Sequence, residues 1–256
     1  MAPTVERARG ARAVAAAVVL AAVALASGCS PGASETPSAR ALTAEESQLL
    51  AVARFKNFDA GTRSFSVSLQ DAGHDLALSG WFDYESQVGY ATLSDAGTPN
   101  SLLTWHEHSL FVHEPSGTEA PLPPPGVTDS PDASWRAGPI DPTASTLHAA
   151  LIFVAELGST RPENPLLLQQ GGALWLRDET VNGVSVTVFA GPQGLATESD
   201  AATAEPDGTS SRIRYWVDAA GLLQRVEVLF GAAWVTIDLG PSDGVALDWA
   251  LPEPTA

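Results

Sequence analysis

Residues 143–157 read Thr-Ala-Ser-Thr-Leu-His-Ala-Ala-Leu-Ile-Phe-Val-Ala-Glu-Leu, and the fold turns on this stretch. Leu147, Ala149, Ala150, Leu151, Ile152, Phe153, Val154, Ala155 and Leu157 fall on nearly every side of a 3.6-residue turn, so the predicted helix is apolar almost all round. Such a helix is buried in a core. It is too short to cross a bilayer, which takes about 20 apolar residues. Asp141-Pro142 supplies an N-cap and a proline for the first turn, and Gly158 ends the element. The helix has more apolar face than one packing layer consumes, and a concave sheet would cover it on several sides.

The flanking sequence supplies that sheet. Upstream, Phe65, Val67 and Leu69 alternate with Ser64, Ser66 and Ser68, the period of a half-buried antiparallel strand. Further strands are predicted over 76–84, 88–94, 101–105 and 109–114, joined by short turns into a meander. Residues 115–142 then break regularity, because Pro121, Pro123, Pro124, Pro125, Pro131 and Pro139 exclude helix and central strand. Downstream, Asn164-Pro165 opens a short helix stopped by Gly171-Gly172. Strands follow over 173–181 and 184–190 around Asn182-Gly183, a strong hairpin signal. A polar, acidic loop over 191–210 precedes strands at 212–217, 222–230 and 234–239, with a last one fitting 245–249. An amphipathic helix starts the array, where Thr43 and Glu46 form a capping box. The class is therefore α+β. A single domain is expected over residues 42–251, since neither meander could bury the central helices alone.

The N-terminal region has a different character. Arg7, Arg9 and Arg12 precede an apolar run from Ala13 to Leu25, and small residues follow. This is the layout of a secretory signal. Leu25-Ala26-Ser27-Gly28-Cys29 resembles the lipobox of bacterial lipoproteins, with Ala26 where leucine is usual. The resemblance implies a signal peptide over residues 1–28, a diacylglycerol on the Cys29 thiol and a flexible tether over residues 29–41. Cys29 is the only cysteine, so no disulfide supports the fold. Two or more acyl chains anchor stably where one does not, at about 0.8 kcal/mol per buried methylene.

After that cut the chain would carry 10 basic and 29 acidic residues. Such a surface repels nucleic acid and anionic headgroups, so no nucleic-acid partner is expected. Lys56 stands alone against twelve arginines, a bias of high-GC, actinobacterial type. His106, His108 and His113 could meet around a hairpin to hold a metal, but a true turn there would splay the rings, and no metal or other cofactor is expected. No G-x-S-x-G elbow, P-loop or dinucleotide fingerprint occurs, and the chain is not expected to be an enzyme.

The element order, with the phrases Thr180-Val181-Asn182-Gly183-Val184 and Tyr215-Trp216-Val217-Asp218-Ala219-Ala220-Gly221-Leu222, is similar to the LolA-like superfamily, in particular its LppX/LprG-type actinobacterial envelope lipoproteins. That resemblance implies a strongly bent antiparallel sheet of about 10–11 strands, a half-barrel wrapped around central helices, with lipid acyl chains in the gap. It carries over no catalytic residue. Candidate cavity residues are Phe65, Trp81, Phe82, Trp105, Leu147, Leu151, Phe153, Val154, Trp175 and Trp216. Two functions fit. One is a membrane-anchored envelope protein, tethered through Cys29 on the extracytoplasmic face, that carries or presents a lipid. The other is an interaction or regulatory module of the same fold with a filled core and an envelope protein partner.

Overall fold

The computed structural model describes residues 38–114, 135–193 and 210–247. The lipobox and Cys29, the proline-rich segment 115–134 and most of the acidic loop expected at 191–210 lie outside them.

Among the described residues, twelve strands form one antiparallel sheet with two free edges, and it is not closed into a barrel. In chain order the elements are β1 (Arg40–Ala41), α1 (Ala44–Asp59), β2 (Thr62–Asp71), β3 (His74–Asp83), β4 (Val88–Asp95), β5 (Thr98–His106), β6 (Ser109–His113) and β7 (Arg136–Pro139). Two helices follow, α2 (Thr146–Glu156) and α3 (Pro165–Gln170). The second meander is β8 (Leu174–Val181), β9 (Val184–Ala190), β10 (Ile213–Asp218), β11 (Leu223–Phe230) and β12 (Ala233–Gly240). The meanders join edge to edge, because β12 pairs with β2 in the register Ile237 opposite Val67 and Leu239 opposite Phe65. The spatial order is β1-β8-β9-β10-β11-β12-β2-β3-β4-β5-β6-β7.

Local sequence explains the well-predicted elements. Thr43 Oγ1 accepts from the Glu46 amide at 3.2 Å while Glu46 Oε2 accepts from the Thr43 amide at 2.9 Å, closing the capping box that starts α1. Arg40 clamps the same carboxylate through two 2.7 Å hydrogen bonds. Asn182 and Gly183 both sit at positive φ, 52° and 81°, the geometry of a tight hairpin whose twist matches its strands. At Gly221 φ is +85°, and a Cβ there would lie 2.8 Å from Val52, so the β10–β11 turn presses its backbone against α1.

Several expectations are corrected. The sheet has twelve strands, not 10–11, because two short edges escape periodicity. Arg40–Ala41 pairs with Trp175 and Leu174, so the end of the expected tether belongs to the sheet. Arg136–Pro139 pairs with β6, and an edge strand accommodates Pro139. The described part of 245–249 forms no strand. Helix α2 begins at Thr146 with Ser145 as N-cap, not at Asp141. The Asp141 carboxylate instead accepts from the amide and hydroxyl of Thr143, a local turn that competes with a helix start. Finally, α2 is not buried on every side: Ala150, Leu151 and Val154 are buried, whereas Leu147, Ile152 and Phe153 are half-buried.

The principal core lies on one face of the sheet, where side chains of α1 and α2 meet Phe65, Val67, Leu78, Phe82, Leu103, Trp105, Val226, Ile237 and Leu239. Two smaller clusters occupy the opposite face, one around Tyr90 and Leu102 and one around Val186 and Val188.

Candidate functional site

Helix α2 is tied to its surroundings by polar contacts at both ends and by apolar contacts between them. At its start, Asp71 on β2 accepts from Ser145 Oγ at 2.8 Å and from the Thr146 amide at 3.0 Å. At its end, Arg54 Nε donates to the Glu156 carbonyl at 2.8 Å and Asn57 Nδ2 donates to the Leu157 carbonyl at 3.3 Å. Asn57 is itself held by Arg63, which is 3% exposed and donates to Asn57 Oδ1 at 2.7 Å, the Gly240 carbonyl at 2.6 Å and the Leu223 carbonyl at 3.1 Å. Burial lowers the Arg63 pKa from its ordinary value, opposed by Tyr84 and Asp218. Four residues, Arg54, Asn57, Arg63 and Asp71, thus fix the ends of a greasy helix.

Between these ties runs the seam of helix and sheet. Phe65 and Trp105 meet edge to face at 5.9 Å, Phe82 lies 5.8 Å from Trp105, and Phe82 and Tyr84 are 5.0 Å apart. Gly158, just past α2, lets the helix terminus approach the Tyr84 ring, since a Cβ there would fall 2.4 Å from it. At the outer side of α2, Phe153 meets Phe230 edge to face at 5.9 Å, and both rings are half-buried. Leu147 and Ile152 are covered to the same degree. Two buried groups in the seam, Tyr84 Oη and Trp105 Nε1, have no hydrogen-bond partner. Burial also pushes the Tyr84 hydroxyl above its ordinary pKa.

Of the residues expected at a ligand cavity, Phe65, Phe82, Trp105, Leu147, Leu151, Phe153, Val154 and Trp175 belong to or pack against this core. Trp81 and Trp216 do not. Each is a neighbour in sequence of an inward residue, Phe82 and Val217, so the two-residue period sends it to the other face. Trp216 lies there with Val186 and Val188, its Nε1 donating to Glu179. Phe230 and the four tying residues are additions that the sequence did not single out for a site. An alternating strand position could have flagged Phe230, but the polar ties come from elements distant in sequence and leave no local signal.

Three open grooves of about 750, 550 and 640 Å³ lie elsewhere, lined respectively by Glu45, Asp178 and Thr187; by Ser68, Gln70 and Trp234; and by Arg54, Arg161 and Leu167. A void of about 10 Å³ sits between Leu50, Leu168 and Tyr215. None of these four is lined by α2. Among the described residues no cluster of three or more histidine, cysteine, aspartate or glutamate side chains could hold a metal. His106 pairs with Ser109 and His113 with Leu102, so the two rings leave the hairpin about 13 Å apart along the strand.

Comparison with solved structures finds similarity at low identity. The lipoprotein LppX of Mycobacterium tuberculosis matches at 13% identity and TM-score 0.42, over 80% of this chain and 96% of that one. LprF from Mycobacterium bovis matches at 11% and 0.39, over 85% and 100%. A domain described as outer membrane lipoprotein-sorting, from Vibrio parahaemolyticus, matches at 12% and 0.24, over 78% and 92%. No family model and no curated protein matches the chain.

Proposed function

We propose that this chain is a lipid-anchored cell-envelope protein, held through acylated Cys29 on the extracytoplasmic face, that carries or presents a hydrophobic ligand. The ligand lies in the seam between α2 and the sheet, which curves around the helix. The observation that supports this reading most is the condition of α2. It offers apolar residues on every side, yet Leu147, Ile152 and Phe153 are only half covered. An acyl chain entering beside them exchanges one apolar contact for another, so displacing α2 from the sheet loses little. Each ligand methylene taken out of water contributes about 0.8 kcal/mol. The bound groups need few hydrogen bonds, consistent with a seam whose polar atoms are two orphan donors. A lipid ester carbonyl would satisfy Tyr84 Oη or Trp105 Nε1. No reaction is part of this proposal.

One observation favours a second reading, an interaction module with a filled core. Phe65, Phe82 and Trp105 pack ring against ring, and small-molecule sites typically enclose about 300–1,000 Å³, whereas none of the four spaces described above is lined by α2. Native mass spectrometry of the full chain separates the two. The carrier reading expects co-purified lipid in the wild type and much less in Phe153→Asn, a change that a half-buried position tolerates. Bare protein in both samples would leave the interaction module. For the anchor, metabolic labelling with a clickable palmitate should mark the wild type and not Cys29→Ser; label persisting on the variant would exclude acylation at Cys29.

A further inference from the structure

We infer that α3 is a membrane-contact element: Leu166 and Leu167 insert into the surface of the bilayer that holds the acyl anchor. The inference rests on the proposed acylation of Cys29. Leu166 is 62% exposed and Leu167 63%, the two most uncovered large apolar side chains among the described residues. The other two differ in kind. Val184 is 36% exposed at a hairpin, and Trp234, at 38%, is covered by the Arg214 guanidinium 4.4 Å from its ring. The outward leucines are not a frayed end. Asn164 caps the helix by accepting from the Leu166 amide at 3.0 Å, Leu168 is buried, and Gln169 Nε2 donates to the carbonyls of Leu42 and Thr43, each at 3.3 Å.

Those last bonds place α3 beside the point where the chain enters the sheet. Ser38, the first described residue, is nine residues beyond Cys29, and covalent geometry limits that span to about 30 Å. A lipid on Cys29 therefore keeps this end of the sheet near a bilayer. The size of the patch selects the occupant. A stable protein interface needs about 800 Å² on each partner, far more than two leucines offer, whereas a bilayer accepts an apolar patch of any size. Charge points the same way. The chain carries a net −17, which disfavours anionic surfaces, while Arg161 lines the groove next to Leu167, beside an Arg54 that is paired with Glu163 of the same groove. The headgroup that fits is zwitterionic, such as phosphatidylcholine, with its phosphate toward Arg161.

The test uses the acylated full chain. With Cys29 blocked by lipid, Leu166→Cys supplies the sole free thiol for an environment-sensitive fluorophore, and Asp243→Cys, in an exposed turn, serves as reference. Both proteins are reconstituted into phosphatidylcholine vesicles. The label at 166 is expected to shift to the blue, brighten several-fold and be quenched by acyl-brominated lipid, while the label at 243 stays aqueous. Sedimentation with vesicles but an aqueous label at 166 overturns the contact and leaves the anchor standing. A blue shift without vesicles that grows with protein concentration assigns the patch to a second copy and also overturns it. Protein that stays in the supernatant, with Cys29 itself labelled, removes the anchor and the contact together.

Discussion

Arg63 and Asn57 show how much a single pair of side chains organises. The three hydrogen bonds of the Arg63 guanidinium end on an amide oxygen and two backbone carbonyls, none on a carboxylate. Asn57 relays that contact to the carbonyl of Leu157 at the end of α2. Asn57→Ala leaves a buried charged donor and a buried carbonyl without their partner and is expected to cost about 2–3 kcal/mol. Urea unfolding should show it as a lower midpoint at unchanged slope; an unchanged midpoint would contradict the relay. Glu46 supplies a pH prediction at the same scale. The Arg40 hydrogen bonds, with help from Thr43, hold its carboxyl at about 2, against an ordinary value of 4.5. A depressed carboxylate contributes stability above its unfolded pKa and loses it as pH falls through the folded one. The contribution is therefore full above pH 4.5 and fades toward pH 2, about 1 kcal/mol after allowing for solvent screening of a surface pair. Thermal melts of Glu46→Gln should accordingly fall below wild type near neutrality and converge with it near pH 2; parallel acid limbs would rule this out. The capping box was legible because Thr43 and Glu46 sit three apart on one turn. The Arg63 network was not: the two-residue period puts Arg63 on the same side as Phe65 and Val67, but its partners are spread over residues 57, 223 and 240 and leave no local mark.

At the scale of elements, α2 decides the chemistry. Its apolar character was readable from 143–157, but its boundary and its half-open side were not. The boundary moved because Asp71, on a strand more than seventy residues earlier, takes the Ser145 hydroxyl and the Thr146 amide. Burial depends on which distant strands the helix packs against, and sequence periodicity carries no information about those partners. The edge strands β1 and β7 were missed for a related reason: two and four residues are too few to show a period, and their pairing depends on the neighbours β8 and β6. Asp71→Ala removes the cross-strand tie and is expected to cost about 1 kcal/mol, as loss of a helix N-cap does. Amide exchange should accelerate at Thr146 and His148 before it does at Val154. Uniform acceleration along α2 would mean that the helix opens as a unit and that Asp71 has no special hold on its start.

For the whole molecule, two meanders become one sheet through a single ladder, β12 on β2. The meander order and the α+β class were legible in the alternation of strands and in the turn residues between them. The β12–β2 junction was not, because it joins chain segments roughly 170 residues apart, and long-range pairing leaves no local mark. That junction sets the inner face, where the Phe65, Phe82 and Trp105 rings pack on one another and Phe230 meets Phe153 of α2. The claim that a hydrophobic ligand occupies this seam is tested most directly by photocrosslinking. A fatty acid carrying a diazirine in its chain is irradiated with the full-length protein, and the modified peptides are identified by mass spectrometry. Adducts on the Leu147–Phe153 side of α2 and on the Phe230 strand end are expected, competed away by unlabelled lipid. Adducts confined to the three surface grooves, or none above background, would contradict the account.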